Sequence, residues 1–278
     1  MATITAAEVN ELRKKTGAGM MDCKKALVEA NGDFEQAIDL LRKKGQKIAA
    51  NRGDRDAKEG LVIAKATADN KKGVMVVVNC ETDFVAKNDD FAAFANNILD
   101  AVMDNGATTV DAAKALTYPG SSLSIADRII EEVGKIGEKI DLSAIEIIES
   151  ELVVAYNHPG NSLASLVAVS KAGDAEAEAA RNVAMQVAAM NPIALNDEGV
   201  DSETIERELE IGRDQARQEG KPEAMIDKIA QGKLSKFYKE NTLVKQQFIK
   251  DNSLTVEAYL ISVNKELVAT GFKRISLS

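Results

Sequence analysis

A single histidine, two cysteines and a deficit of cationic residues exclude much before any motif is read. His158 precedes Pro159-Gly160, where a turn role suits it better than general-base work, and no Ser or Cys stands in a context that suggests an activated nucleophile. This argues against an enzyme. Cys23 and Cys80 lie far apart, with no Cys or His neighbour at ligand spacing, so they read as buried free thiols and not as a zinc site or disulfide. Lys and Arg number 35 against 44 Asp and Glu, a net charge of -9. General affinity for nucleic acid needs clustered cations, so no nucleic-acid partner is expected. No apolar run approaches the roughly 20 residues that cross a bilayer, and Met1-Ala2-Thr3-Ile4 lacks the basic and apolar regions of a secretory signal. The expectation is a cytoplasmic protein with no membrane partner. Gly17-Ala18-Gly19-Met20 and Gly134-Lys135-Ile136-Gly137 can each form a tight turn, but neither completes a phosphate-cradling motif, and no cofactor is expected.

What is present is enough apolar material, 45% of 278 residues, for two or more compact units. The first, residues 1–45, reads as a three-helix head. Thr5-Ala6-Ala7-Glu8 has the spacing of a capping box; Gly17-Ala18-Gly19 stops the first helix, Asn31-Gly32 the second, and Gly45 the third. Its basic clusters, Arg13-Lys14-Lys15, Lys24-Lys25 and Arg42-Lys43-Lys44, fall late in helices or on polar faces. Residues 46–59 read as a linker. The centre looks duplicated: two hairpin patterns, Gly60 to Cys80 and Glu151 to Ser170, are each followed by a helical stretch and a later strand candidate, Lys139 to Ile148 or Leu267 to Ser276. An α+β architecture of two antiparallel three-stranded sheets with covering helices is the economical solution, with halves at 60–150 and at 151–200 plus 241–278. Residues 201–240 interrupt the second half with an antiparallel helical hairpin, broken at Gly220-Lys221-Pro222.

The run Cys80-Glu81-Thr82-Asp83-Phe84-Val85-Ala86-Lys87-Asn88 joins a β-branched strand to a helical pattern that begins at Phe91. Locally, Phe84 fits a staple that fastens the junction to the core. The other reading is a wedge that protrudes toward a partner, with Val85 as the anchor. Glu81 and Asp83 could pair near a metal, yet such acids commonly lie on a solvated turn.

Three stretches in order, Leu12-Arg13-Lys14-Lys15-Thr16-Gly17-Ala18-Gly19-Met20-Met21-Asp22-Cys23-Lys24-Lys25-Ala26-Leu27, Asn79 to Asn88 and Gln231-Gly232-Lys233-Leu234-Ser235-Lys236-Phe237, resemble the bacterial elongation factor Ts family. The resemblance extends over essentially the whole chain, including a ubiquitin-associated-like head, duplicated core and inserted hairpin. It implies a guanine-nucleotide exchange factor for the translational GTPase elongation factor Tu, in GDP-bound and nucleotide-free forms. It also implies that Thr82, Asp83, Phe84 and Val85 enter the GTPase domain, with the ring wedging beside the nucleotide and disturbing Mg²⁺. The head would contact a helix of the same domain, Ile136 and Gly137 would approach the nucleotide side, and the His158 turn would face another domain. Leu12 and Met20 are candidates either for docking or for core packing. Longer family members continue into a further helical module, whose contact is expected to be absent here. The complete duplication reduces the need for homodimerisation, leaving self-association through the hairpin open. The alternative reading is a scaffold or other interaction module that uses the head.

Overall fold

The computed structural model describes residues 4–277, and its first helices follow from capping chemistry. At the start of α1 (Ala6–Thr16), Thr5 N donates to Glu8 Oε2 at 2.7 Å and Glu8 N donates to Thr5 Oγ1, the reciprocal box expected from the sequence. Gly17, at φ 67, ends that helix, and α2 (Met20–Glu29) follows. Val9, Leu12, Cys23, Ala26, Leu27 and Ala37 close a small core.

α3 (Phe34–Arg52) departs from expectation, because it runs through Gly45 instead of stopping there. The reason is packing. Gly45 is buried where α3 crosses the helix Ile125–Ile136: a Cβ on Gly134 would lie 2.8 Å from Gly45 Cα, and a Cβ on Gly45 would lie 3.1 Å from Ile130 O. Residues 46–52 are therefore helix and not linker, and Ile48 and Ala49 pack against the first core half.

That half contains β1 (Glu59–Ala66), β2 (Lys72–Cys80), α4 (Asp83–Ala86), α5 (Asp89–Asn105), α6 (Val110–Ala115), α7 (Ile125–Ile136) and β3 (Asp141–Glu149). The second contains β4 (Leu152–Asn157), β5 (Leu163–Val169), α8 (Asp174–Met190), the hairpin α9 (Ser202–Gln218) and α10 (Glu223–Asn241), the ribbon β6 (Gln247–Phe248) and β7 (Asp251–Thr255), α11 (Val256–Val263) and β8 (Ala269–Ser276). The fold is α+β, with antiparallel sheets ordered β1-β2-β3 and β4-β5-β8.

The duplication extends to register. Leu61 pairs with Val78 as Leu152 pairs with Val169, and both hairpins turn through a left-handed Asn, Asn70 at φ 55 and Asn161 at φ 54. Each turn bonds to the other half: Val62 N donates to Asn161 O at 2.7 Å, and Val153 N donates to Asn70 O at 2.6 Å. The Asn157 amide adds two bonds to the Ala64 backbone, at 2.8 and 2.9 Å.

Each sheet buries both faces. Leu61, Ile63, Val74, Val76 and Val78 meet α5 and α7, whereas Val62, Ala64, Met75 and Val77 meet Val153, Leu166 and Ala168 of the other sheet. α8 covers the outer face of the second sheet, giving helix, sheet, sheet and helix layers. Each large side chain so enclosed contributes about 1.5–3 kcal/mol. The hairpin closes on small residues, with Gly212 against Ala230 and Arg213 bound to Asp227 at 2.8 Å.

Gly134→Val is expected to cost about 1–3 kcal/mol by forcing α3 and α7 apart, whereas Gly232→Ala, with open space around it, should gain about 0.5–1 kcal/mol. Urea unfolding midpoints distinguish these outcomes, and an unchanged midpoint for Gly134→Val contradicts the crossing argument.

Candidate functional site

β2 leaves the core at Cys80, and two caps follow in quick succession. Thr82 caps α4, its Oγ1 accepting from Val85 N at 3.4 Å, and Asn88 caps α5, its Oδ1 accepting from Asp90 N at 2.8 Å. The tip is thus a single helical turn. Phe84 projects from it with 83% of its surface exposed, which excludes the staple reading. Val85 instead packs against the core beside Ala86. Asp83 Oδ2 accepts from Lys87 Nζ at 2.6 Å, and that bond holds the Asp83 carboxyl below its ordinary range and the Lys87 ammonium above its own.

Under the tip, two carboxylates hold backbone amides. Glu138 Oε2 accepts from Glu81 N at 3.2 Å and Thr82 N at 3.0 Å, while its Oε1 accepts from Thr82 Oγ1 at 2.7 Å. Glu81 Oε1 accepts from Lys139 N at 2.6 Å and from Arg52 Nη1 at 2.7 Å. Lys139 Nζ then donates to Gly53 O and Arg55 O, at 2.8 and 3.0 Å. The end of α3, the tip and the turn after α7 therefore form one hydrogen-bonded unit. Burial pushes the Glu81 carboxyl up, but the Lys139 amide and the Arg52 guanidinium together outweigh it and leave the group below its usual value. Cys80, whose Sγ donates to Thr82 O at 3.2 Å, is pushed up to about 12 by burial and by the Glu138 charge, so it remains a thiol.

The other expected residues fall in several places. Ile136 packs half-buried on the first core, and Gly137 takes the left-handed conformation, φ 82, that ends α7 with no atom near a substituent position. Both adjoin Glu138, so the structure brings the 82–85 tip and the 136–137 turn together. Leu12 is fully buried in the head, and its docking expectation is corrected: it is a core residue. Met20 is 52% exposed on α2, with Met21 and Val28 also exposed there. His158 is exposed on the β4–β5 turn, its Nδ1 3.0 Å from Tyr156 Oη. The Glu81 and Asp83 side chains are engaged with Arg52 and Lys87, and among the described residues no group of three or more His, Cys, Asp or Glu could hold a metal. No helix among those residues is long and apolar enough to cross a membrane.

Glu138, Arg52 and Lys139 escaped the sequence reading. One local signal existed for Glu138: an acid beside a helix C-terminus opposes the helix dipole, so it needs another reason to be there.

The depressed Glu81 group makes a pH-dependent contribution with a defined sign. Stability from its contacts is complete above the ordinary Glu value of 4.5 and is lost as pH falls through the lower folded value. Arg52→Met removes part of it. The stability gap between the unmodified protein and this variant should be widest near neutrality and narrow below about pH 4.5, as read by urea unfolding across pH; a constant gap contradicts the assignment.

Comparison with known proteins supplies the family. The family described as Elongation factor TS matches residues 81–278, a span that starts at the tip. The chain is 56% identical over 277 residues to Elongation factor Ts of Christiangramia forsetii, covering 100% of both chains. It is 53% identical over 277 residues to that of Flavobacterium psychrophilum, again covering 100% of both. For Porphyromonas gingivalis the identity is 47%, covering 99% of this chain and 98% of the other. A match over most of the chain, joined to full-length identity of this order, places the protein in the elongation factor Ts family of translation elongation factors.

Proposed function

We propose that this protein is a guanine-nucleotide exchange factor for elongation factor Tu and uses Phe84 as its wedge. The observation that carries the reading is a large aromatic ring, 83% exposed, on a tip whose own backbone is tied down. An exposed phenyl ring on a fixed base gains free energy by entering a pocket. Burial of such a ring contributes about 1.5–3 kcal/mol, and each factor of ten in a binding constant takes about 1.4 kcal/mol. If the pocket exists only when the GTPase is empty, linkage requires that nucleotide bind more weakly by the factor that the wedge gains.

Asp83 adjoins the ring, and its side chain is paired with Lys87. An exposed, solvent-screened pair of this kind is weak, so its carboxylate can turn to a donor or a Mg²⁺-bound water of the partner at little cost. Exchange needs no covalent step from this chain. Met20 on the head supplies apolar surface for a second contact, and the His158 turn of the second core half supplies a third.

Phe84→Ala should slow stimulated GDP release by about 10- to 100-fold, the burial energy expressed as rate, while moving stability by less than about 0.5 kcal/mol, as for an exposed site. Release of a fluorescent GDP from elongation factor Tu measures the first and urea unfolding the second. Unaltered release by Phe84→Ala sinks the wedge. Capture of the GTPase that persists in excess GDP and Mg²⁺ favours a scaffold instead.

A further inference from the structure

Glu138 stands immediately after Gly137, the left-handed residue that ends α7. A negative charge there faces the carbonyl end of the helix, which is electrostatically unfavourable. Its compensation comes from elsewhere. Two amides and a hydroxyl of residues 81 and 82 surround the carboxylate at 2.7–3.2 Å, and charge-assisted bonds of this type are stronger than neutral ones. Glu81 returns the exchange by accepting from Lys139 N at 2.6 Å. Two adjacent segments therefore trade carboxylate for amide, the logic of a capping box applied across the fold.

The trade matters because α4 has four residues and cannot be stable alone. Its direction is set by Thr82, the cap, and Thr82 is engaged by Glu138 through both its amide and its hydroxyl. Removing that carboxylate leaves two half-buried amides without acceptors and lets the single turn pivot. A ring on a pivoting base must be ordered as it inserts, so part of its burial energy is lost to conformational entropy.

We propose that Glu138 is the positioning residue of the tip, presenting Phe84 in the direction in which it acts and binding the 136–137 turn and the tip into one rigid body. This rests on the exchange reading. Glu138 touches no nucleotide in this scheme; it acts through Thr82 on Phe84.

The test measures GDP release from elongation factor Tu against factor concentration for the unmodified chain, Glu138→Ala, Glu138→Gln, Phe84→Ala and the double variant Phe84→Ala with Glu138→Ala. Glu138→Ala should lower the maximal rate by about tenfold, one lost charged contact, with half-saturation changed by less than about threefold, because contacts remote from the tip remain. Glu138→Gln should recover most of the rate. Its amide oxygen keeps both backbone bonds, and its amide nitrogen can donate to the Thr82 hydroxyl. In the Phe84→Ala background, Glu138→Ala should have no further effect, since there is no ring left to aim. Full activity of Glu138→Ala, or an equal loss on top of Phe84→Ala, overturns the proposal.

Hydrogen exchange at the Glu81 and Thr82 amides supplies a readout independent of the GTPase. Glu138→Ala should accelerate both while leaving β2 protected, and unchanged protection of the two amides also overturns the positioning role. If the unmodified chain fails to stimulate GDP release while the amides respond, the exchange reading fails and the latch stands.

Discussion

Burial of β2 on both faces is the constraint on which the other parts depend. Val74, Val76 and Val78 face the helices, and Met75 and Val77 face the second sheet, so no side of the strand is left for water. Such a strand needs both neighbours and both covering layers at once. Gly73 sets how closely the sheets approach, because a Cβ there would lie 2.6 Å from Val153 Cγ1 and 2.8 Å from Leu166 Cδ2. With that distance fixed, the reciprocal bonds of Asn70 and Asn161 fall into place at opposite ends of the interface. The strand then delivers its last residue, Cys80, to an invariable point in space. A tip starting from such a point can be short and still be aimed.

Charge near the tip is divided between holding and reaching. The chain carries a net charge of -9, yet the two acids beneath the tip, Glu81 and Glu138, are occupied by amides, a hydroxyl and a guanidinium. Their cost of burial is met locally, which is the condition for keeping charge in a partly buried place. Asp83 lies on the outer side, in an ion pair with an exposed lysine. The head joins the same system. Arg52, at the end of α3, grips Glu81, while eight residues earlier in that helix Lys44 binds Asp22 and the neighbouring Gly45 crosses Gly134. One helix therefore carries head, crossing and latch along its length, and a glycine that reads as a stop in sequence is the place where two helices touch.

Legibility followed the range of the interactions. Caps, turns and strand alternation are local, so the three helices of the head, the two hairpins and the inserted arm could be read from residues such as Thr5, Gly17, Gly32 and Pro222. Phe84 was ambiguous, because an aromatic at a strand-to-helix junction serves equally as staple or wedge; the structure assigns the anchoring to Val85. Leu12 was ambiguous for a similar reason, and only the packing of α1 on α2 buries it. Gly45 misled because its partner is about ninety residues away in sequence, at Gly134, and close approach leaves no local trace. Glu138 was invisible as a latch for the same reason. Its three donors belong to residues 81 and 82, and no spacing rule links them to it.

The duplicated halves show how one scaffold acquired different ends. Glu138 stands three residues before β3, and Glu266 stands three residues before β8. Both lie beside the exit of the central strand, but they are used differently. In the second half, the Glu266 carboxylate takes the Lys171 ammonium at 2.7 Å, and its backbone carbonyl accepts from Ser170 Oγ. There β5 passes through Gly173 directly into α8, with no intervening turn. In the first half, the chain makes one extra helical turn, Asp83–Ala86, between strand and long helix, and Glu138 binds the amides at its base. A surface ion pair steadies a junction that only has to connect, and its worth is small. A carboxylate that caps backbone amides fixes direction as well as position, which is what an outward-facing aromatic needs. The asymmetry of the two acids thus follows from the segment added at this junction of the first half, the turn that carries Phe84.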